Sequence, residues 1–496
     1  MPKDKKPPLG LESPTLSLPD KAPNQCSEQD QDPTRKRLLQ SYLLKVDLHL
    51  LPISFMVYFF SVIDRNNIGN AKLAGMPEHL NLHGQQFNWI VSSFFFTYIF
   101  FEIPSNYCLR QLGARVWLPV ITIAWSVLVA CMACAKSYGA LVAVRVLMGC
   151  FEAGYVPGFI YLCSFWYTRK QIAPRLALFF SAGMFAGIWA GPLAARLQKI
   201  KGGLEGYQYI FLIEAAITVG LALIMWVVLD NYPETARFLT AEERAAGLRM
   251  LSEDKTQSAR APFRPQQVLG ALSDWTLWGY AVIFWASALG GATQAIFGPT
   301  LIAAMGYEST HAQVLSAIPS ACGFVVQIAS MFFPRIHSRY SPWIMVCSGL
   351  ACAFYAVIAS VESTKVRFAF LCLANAALSP NMPLVSMWMS MNVLGVTKKG
   401  VAAAVTVMFG GVSGLIGAHV YRERDYPRYR FGHIFVCACN ALIFLVALAL
   451  QLYFRWENRR RDKKAGDGVV VVDGSAMSEN VIEETDDKRP DHRYTW

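Results

Sequence analysis

Arg145 and Glu152 are the only charged side chains between Lys136 and Arg169, within the run RVLMGCFEAG. On a helix their seven-residue spacing is close to two turns, so both point to one face about 10 Å apart along the axis. A fixed guanidinium is suited to gripping a carboxylate. A carboxyl withdrawn from water can exchange a proton near neutral pH. Together they can bind an anion and a proton at neighbouring points of one helix face. The structural alternative is a static ion pair with Asp64 or Glu214 as partner. Gly149, Ala153 and Gly154 lie among them and allow another backbone or a ligand to come close.

Other charges sit in similarly apolar surroundings: Asp64, Arg65, Glu102 and Glu214, all in the first half of the chain. Each costs about 2.5–3.5 kcal/mol at the centre of a membrane helix, so each needs a reason to be there. Asp64 and Arg65 are adjacent, project about 100° apart and cannot both face one partner helix. Snorkelling to the interface competes for them with a gate or ligand role. Glu102, in FEIPSN, is placed toward the end of its helix, where pairing with loop arginines competes with proton exchange. The second half supplies neutral polar groups instead: Gln294, Gln327, Asn375, Asn381 and His419. Gln294 and Asn381 are the substrate contacts expected from that half, with Glu152, Asp64 and Glu102 as the proton-coupling candidates.

The elements that must position these groups are long apolar helices. Charged residues make up 16% of the 496 and hydrophobic residues 54%, against about a quarter charged in a soluble domain. Apolar blocks of about twenty residues define twelve spans. They cover 46–63, 87–109, 117–135, 138–163, 174–197 and 209–229 in the first half. In the second they cover 275–305, 312–333, 342–361, 368–393, 401–420 and 434–454. The expected class is an all-α membrane protein of twelve transmembrane helices in two six-helix bundles, 46–230 and 274–456. A hydrophilic linker, 231–273, joins them, and disordered tails, 1–45 and 457–496, flank them. In the linker, Thr240 followed by Glu243 reads as a capping box. The polar opening to about Gln40 does not read as a cleavable signal peptide.

The net charge of +11 gathers in short loops and tails, such as Arg35–Arg37 and Arg459–Arg461. That is the positive-inside pattern, which excludes a nucleic-acid surface and puts both termini and the linker in the cytosol. The loop holding Arg422, Arg424, Arg428 and Arg430 runs against it. Eleven of the twelve cysteines lie in or beside apolar runs, where they read as packing residues; no metal or cofactor is expected.

Two six-helix halves about a cytosolic loop is the plan of the major facilitator superfamily. The chain resembles that superfamily's anion:cation symporter branch, in its fungal allantoate-permease-like group. The matching pieces are IDRNNIGNA (63–71), FEIPSN (101–106), RVLMGCFEAGYVPG (145–158), PETARFLTAEER (233–244) and DYPRYRFG (425–432). The resemblance implies that Arg65 and Arg145 bind the anionic substrate and that Glu152 takes part in proton coupling. It also implies that Tyr98 lines the substrate path. The superfamily's loop motif after the second span is degraded here to LRQLGAR, with Arg110 in place of Asp. The seventh span lacks the arginine of vesicular glutamate carriers, which argues against a dicarboxylate specialist and for a single-carboxylate or mixed-polarity ligand.

The expected function is secondary active transport, as proton-coupled uptake of a small organic anion across the fungal plasma membrane by a monomer. An exporter of an organic product is the alternative, and a nutrient sensor without net transport is a third. An enzyme is not expected, because no span holds a His/Asp cluster, a G-x-S-x-G or an H-E-x-x-H.

Overall fold

A computed structural model describes residues 33–258, 265–330, 332, 339–393, 396–466 and 494–495. The architecture is all-helical in two halves of six spans. The first half contains Pro33–Asn66 with its continuation Ile68–Leu73, Gln86–Leu112, Ala114–Cys134, the pair Tyr138–Glu152 and Tyr155–Trp166, Arg169–Leu197, and Gly206–Val228. The second contains Trp275–Ala304, the pair Ser309–Leu315 and Ala317–Ser330, and Ser341–Ser360. It then adds the pair Thr364–Leu378 and Asn381–Asn392, Val396–Gly417, and Arg430–Gly466. Eleven of these spans are long and apolar enough to cross a membrane by length and composition. The remaining one, Gln86–Leu112, is a 27-residue helix diluted by Asn, Ser, Tyr and Glu. Large apolar side chains such as Leu44, Phe96, Phe100 and Val227 face outward, as a lipid-facing surface requires.

The fourth span of each half is broken. In the first half the break is at Ala153-Gly154; in the second it is at Ser379-Pro380, where proline supplies no N–H. Each break leaves a separate half-helix toward the linker, Tyr155–Trp166 and Asn381–Asn392.

Two expected boundaries are corrected. Residues 33–45, assigned to an irregular tail, form the start of the first helix, and Lys45 and Ser41 bond to Glu243 of the linker. The last helix continues past 456 to Gly466, and Tyr494 and Thr495 lie against the second half. The expected disorder of residues 1–32 and of 467–493 falls outside the described residues. The linker's capping box forms: the Glu243 amide donates to Thr240 Oγ1 at 3.3 Å, and the Thr240 amide donates to Glu243 Oε2 at 3.0 Å.

Every hydrogen bond described between the two halves lies at the end away from the linker. Gln313 Nε2 donates to the Asn70 carbonyl at 3.1 Å, Gln198 Nε2 to Gln313 Oε1 at 2.8 Å, and Asn88 Nδ2 to the Tyr421 carbonyl at 3.2 Å. Glycines make this seal possible. A Cβ on Gly69 would sit 2.0 Å from the Ile296 carbonyl oxygen, and one on Gly191 would sit 2.0 Å from that of Gln313.

Candidate substrate and proton site

The fourth span reaches the second through Gly149. A Cβ there would lie 2.3 Å from the Phe94 carbonyl oxygen and 2.4 Å from Thr97 Oγ1. With only hydrogen at that position the two backbones close up, and Thr97 Oγ1 donates to the Val146 carbonyl at 2.7 Å. The approach carries Phe94 beneath both arginines. The Arg145 guanidinium carbon lies 4.9 Å from the ring centre and that of Arg65 5.2 Å, with the Tyr98 ring 4.9 Å from Arg65. Two guanidiniums from spans one and four therefore share one aromatic floor.

They are not held alike. Arg65 donates to Glu152 Oε1 from Nη2 at 2.5 Å and from Nε at 3.1 Å, and Ser61 Oγ donates to the same oxygen at 2.7 Å. Glu152 is 1% exposed, and its other oxygen, Oε2, has no partner among the described residues. Arg145 is fully buried but has no ion-pair partner among the described residues. Its Nη1 and Nη2 lie 3.4 and 3.5 Å from the Arg65 carbonyl oxygen, long for hydrogen bonds, and its Nε has no partner. This overturns the static pairing of the Arg145/Glu152 constellation with Asp64 or Glu214. The carboxylate went to Arg65, because Ser61 and Arg65 are four residues apart on one helix face and reach Glu152 together.

Asp64 does not snorkel. It is fully buried on the opposite side of the first span, where Thr218 Oγ1 of the sixth span donates to Oδ2 at 3.2 Å. Glu214, also fully buried, accepts from Asn67 Nδ2, and Asn70 Nδ2 donates to Asn67 Oδ1 at 2.7 Å. Neither acid has a cationic partner among the described residues, and each keeps one buried oxygen without a partner. Arg65 does not snorkel either, since its side chain is 19% exposed and turned to Glu152. Glu102 is half-buried one turn beyond Tyr98, and the expected pairing with loop arginines is absent among the described residues.

In the second half, Gln294 and Asn381 are buried in the middle of the seventh span and at the break of the tenth. Neither hydrogen-bonds to Arg145, Arg65 or Glu152. Gln294 Oε1 and both polar atoms of the Asn381 carboxamide have no partner among the described residues. An uncompensated buried amide costs on the order of 1–3 kcal/mol, which a polar ligand can repay. Ser61, Phe94 and Thr97 complete the site and were not singled out as site residues. The i, i+4 spacing of Ser61 and Arg65 was the available signal for the first; contacts between spans decide the others.

The profile of the Major Facilitator Superfamily matches residues 54–418. The chain belongs to the Major Facilitator Superfamily. Its similarity to curated proteins runs nearly end to end. The major facilitator-type transporter hxnP of Emericella nidulans is 27% identical over 464 residues, 92% of this chain and 93% of that protein. The MFS-type transporter cnsO of Penicillium expansum is 30% identical, covering 86% of this chain and 85% of its own. The high-affinity nicotinic acid transporter of Saccharomyces cerevisiae is 28% identical, covering 94% and 85% respectively. Among solved structures, an inward-facing, unoccupied bacterial homolog of the human lysosomal transporter Spinster superposes with a TM-score of 0.63. It has 15% identity and covers 84% of this chain and 96% of that one. The partially occluded, inward-open xylose transporter XylE from E. coli gives 0.62 at 11% identity, covering 83% and 97%. These two establish the fold. The family and its relatives make the chain a multi-pass membrane transporter and not an enzyme.

Proposed function

We propose that this superfamily member is a proton-coupled carrier of small organic monocarboxylates. It works as an importer at the plasma membrane, with the linker and both tails cytosolic, and it belongs to the anion:cation symporter branch, allantoate-permease-like group. One observation carries the reading: Arg145 is a fully buried guanidinium with no acidic partner among the described residues, beside an Arg65–Glu152 pair that is neutral as a unit. A lone cation in a membrane interior is costly, and an incoming carboxylate is the ligand that relieves it. Phe94 and Tyr98 give that ligand's body an apolar wall, and Gln294 and Asn381 offer it polar contacts from the other half. The similarity to a nicotinic acid transporter supports a compact ring-bearing acid.

Coupling follows from the shared arginine. A carboxylate seated on Arg145 also attracts Arg65, which competes with the hold of Arg65 on Glu152. A proton on Glu152 releases that hold. One anion and one proton enter together and leave the charge of the site unchanged, so the loaded and empty carriers meet the same electrostatic barrier to rocking. The test is radiolabel uptake in a permease-deficient yeast across a panel of organic acids at acid and neutral external pH. The reading expects concentrative uptake of a monocarboxylate that is stronger at acid pH. Uptake confined to neutral or cationic solutes contradicts it, and carboxylate movement only out of preloaded cells favours the export alternative.

A further inference from the structure

Tyr494 and Thr495 occupy the linker-side end of the second half through contacts that read main chain. Tyr494 N donates to Asn458 Oδ1 and Asn458 Nδ2 donates to the Tyr494 carbonyl, both at 2.9 Å. Thr495 N donates to Asn392 Oδ1 at 2.7 Å, and Asn392 Nδ2 donates to the Thr495 carbonyl at 2.8 Å. In an extended strand the N–H and C=O of one residue point to one side and those of the next to the other. The two carboxamides, one on the twelfth span and one on the tenth, thus hold the two edges of one extended dipeptide. Trp388 Nε1 adds a second donor to the Thr495 carbonyl at 2.7 Å, and Asn392 also donates to Tyr280 Oη of the seventh span at 2.8 Å.

The side chains are read unequally. The Tyr494 ring stacks on Phe454 at 4.7 Å with 19° between planes, and the Arg461 guanidinium lies 4.7 Å from the ring centre and donates from Nη2 to the Tyr494 hydroxyl at 3.3 Å. Among the described residues no hydrogen bond involves the Thr495 hydroxyl. The surface therefore selects an aromatic residue followed by any residue with a free backbone N–H. We propose that it is a peptide-reading clamp whose ligand is the chain's own 494–495 strand, and that the strand braces the half-helix Asn381–Asn392 against the twelfth span. That half-helix is attached to the rest of its span only at the Ser379-Pro380 break, where the helical hydrogen-bond ladder is interrupted and a tilt can be taken up. It begins at Asn381, so the brace also sets the base of the substrate contact proposed from this half. The brace itself stands on geometry that needs no substrate.

Hydrogen–deuterium exchange on the full-length protein tests this without knowing the cargo. Thr495→Pro removes the N–H that Asn392 accepts, and Asn458→Ala removes the other edge. Both should speed exchange of residues 381–392 by about tenfold or more. Thr495→Val, which keeps the backbone and the stack, should match the parent chain, as should residues 155–166 in every variant. Equal behaviour of Thr495→Pro and Thr495→Val, or changes confined to the last few residues, overturns the clamp. Protection of 381–392 that fades on dilution assigns the strand to a neighbouring copy and overturns the brace within one chain.

Discussion

Arg65 Nη2 of the first span lies 2.5 Å from Glu152 Oε1 of the fourth, and Glu152 Oε2 beside it is buried with no partner among the described residues. One oxygen is committed to an arginine and a serine while the other has space in its hydrogen bonding for a proton. Arg145, on the same helix as Glu152, is left to something else.

Arg145→Lys keeps the charge but loses the planar fork that can take a carboxylate with two parallel hydrogen bonds. Loss of such a buried contact costs on the order of 2 kcal/mol, roughly a 30-fold rise in apparent Km. Uptake titrations with the identified acid check this. An unchanged Km makes the guanidinium structural.

Gly69→Ala and Gly191→Ala place a methyl group where a facing carbonyl oxygen now sits, 2.0 Å from the added Cβ in each case. The seal away from the linker should loosen in both. A cysteine pair at Gln198 and Gln313, which are joined by a 2.8 Å hydrogen bond, should oxidise readily in a cysteine-free parent and several-fold more slowly with either alanine. Equal rates would mean that the seal absorbs the methyl elsewhere.

Glu243 docks the linker onto the first helix. Hydrogen bonds from Lys45, Ser41 and the Thr240 amide hold its carboxyl at about 2, below the usual 4.5. A depressed folded-state value stabilises above the unfolded value and loses that contribution as pH falls. The melting-temperature difference between the parent and Glu243→Gln should be constant above about pH 4.5 and shrink from there toward pH 2. A difference that grows on acidification contradicts the assignment.

The twelve-span plan was legible because membrane spans announce themselves by apolar length, and the Thr240–Glu243 cap because both partners are three residues apart. The charged residues of the site were legible as anomalies in apolar runs. Their partners were not. That Glu152 takes Arg65 depends on Gly149 admitting the second span, and on which side of the first helix faces the fourth. Asp64 and Arg65 are neighbours in sequence, yet one turns to Thr218 and the other to Glu152, and only packing decides which. The docking of 494–495 was hidden in a polar tail, because a clamp that reads backbone leaves little trace in side-chain pattern.

The central claim is that Glu152 carries the coupled proton, and Glu152→Gln tests it most directly because it mimics the protonated acid at nearly constant volume. In vesicles with an imposed pH gradient, the variant should still bind and exchange substrate at near-parent rates but show no gradient-driven accumulation. If Glu152→Gln accumulates substrate with the parent's dependence on external pH, the proton travels elsewhere and the account is wrong.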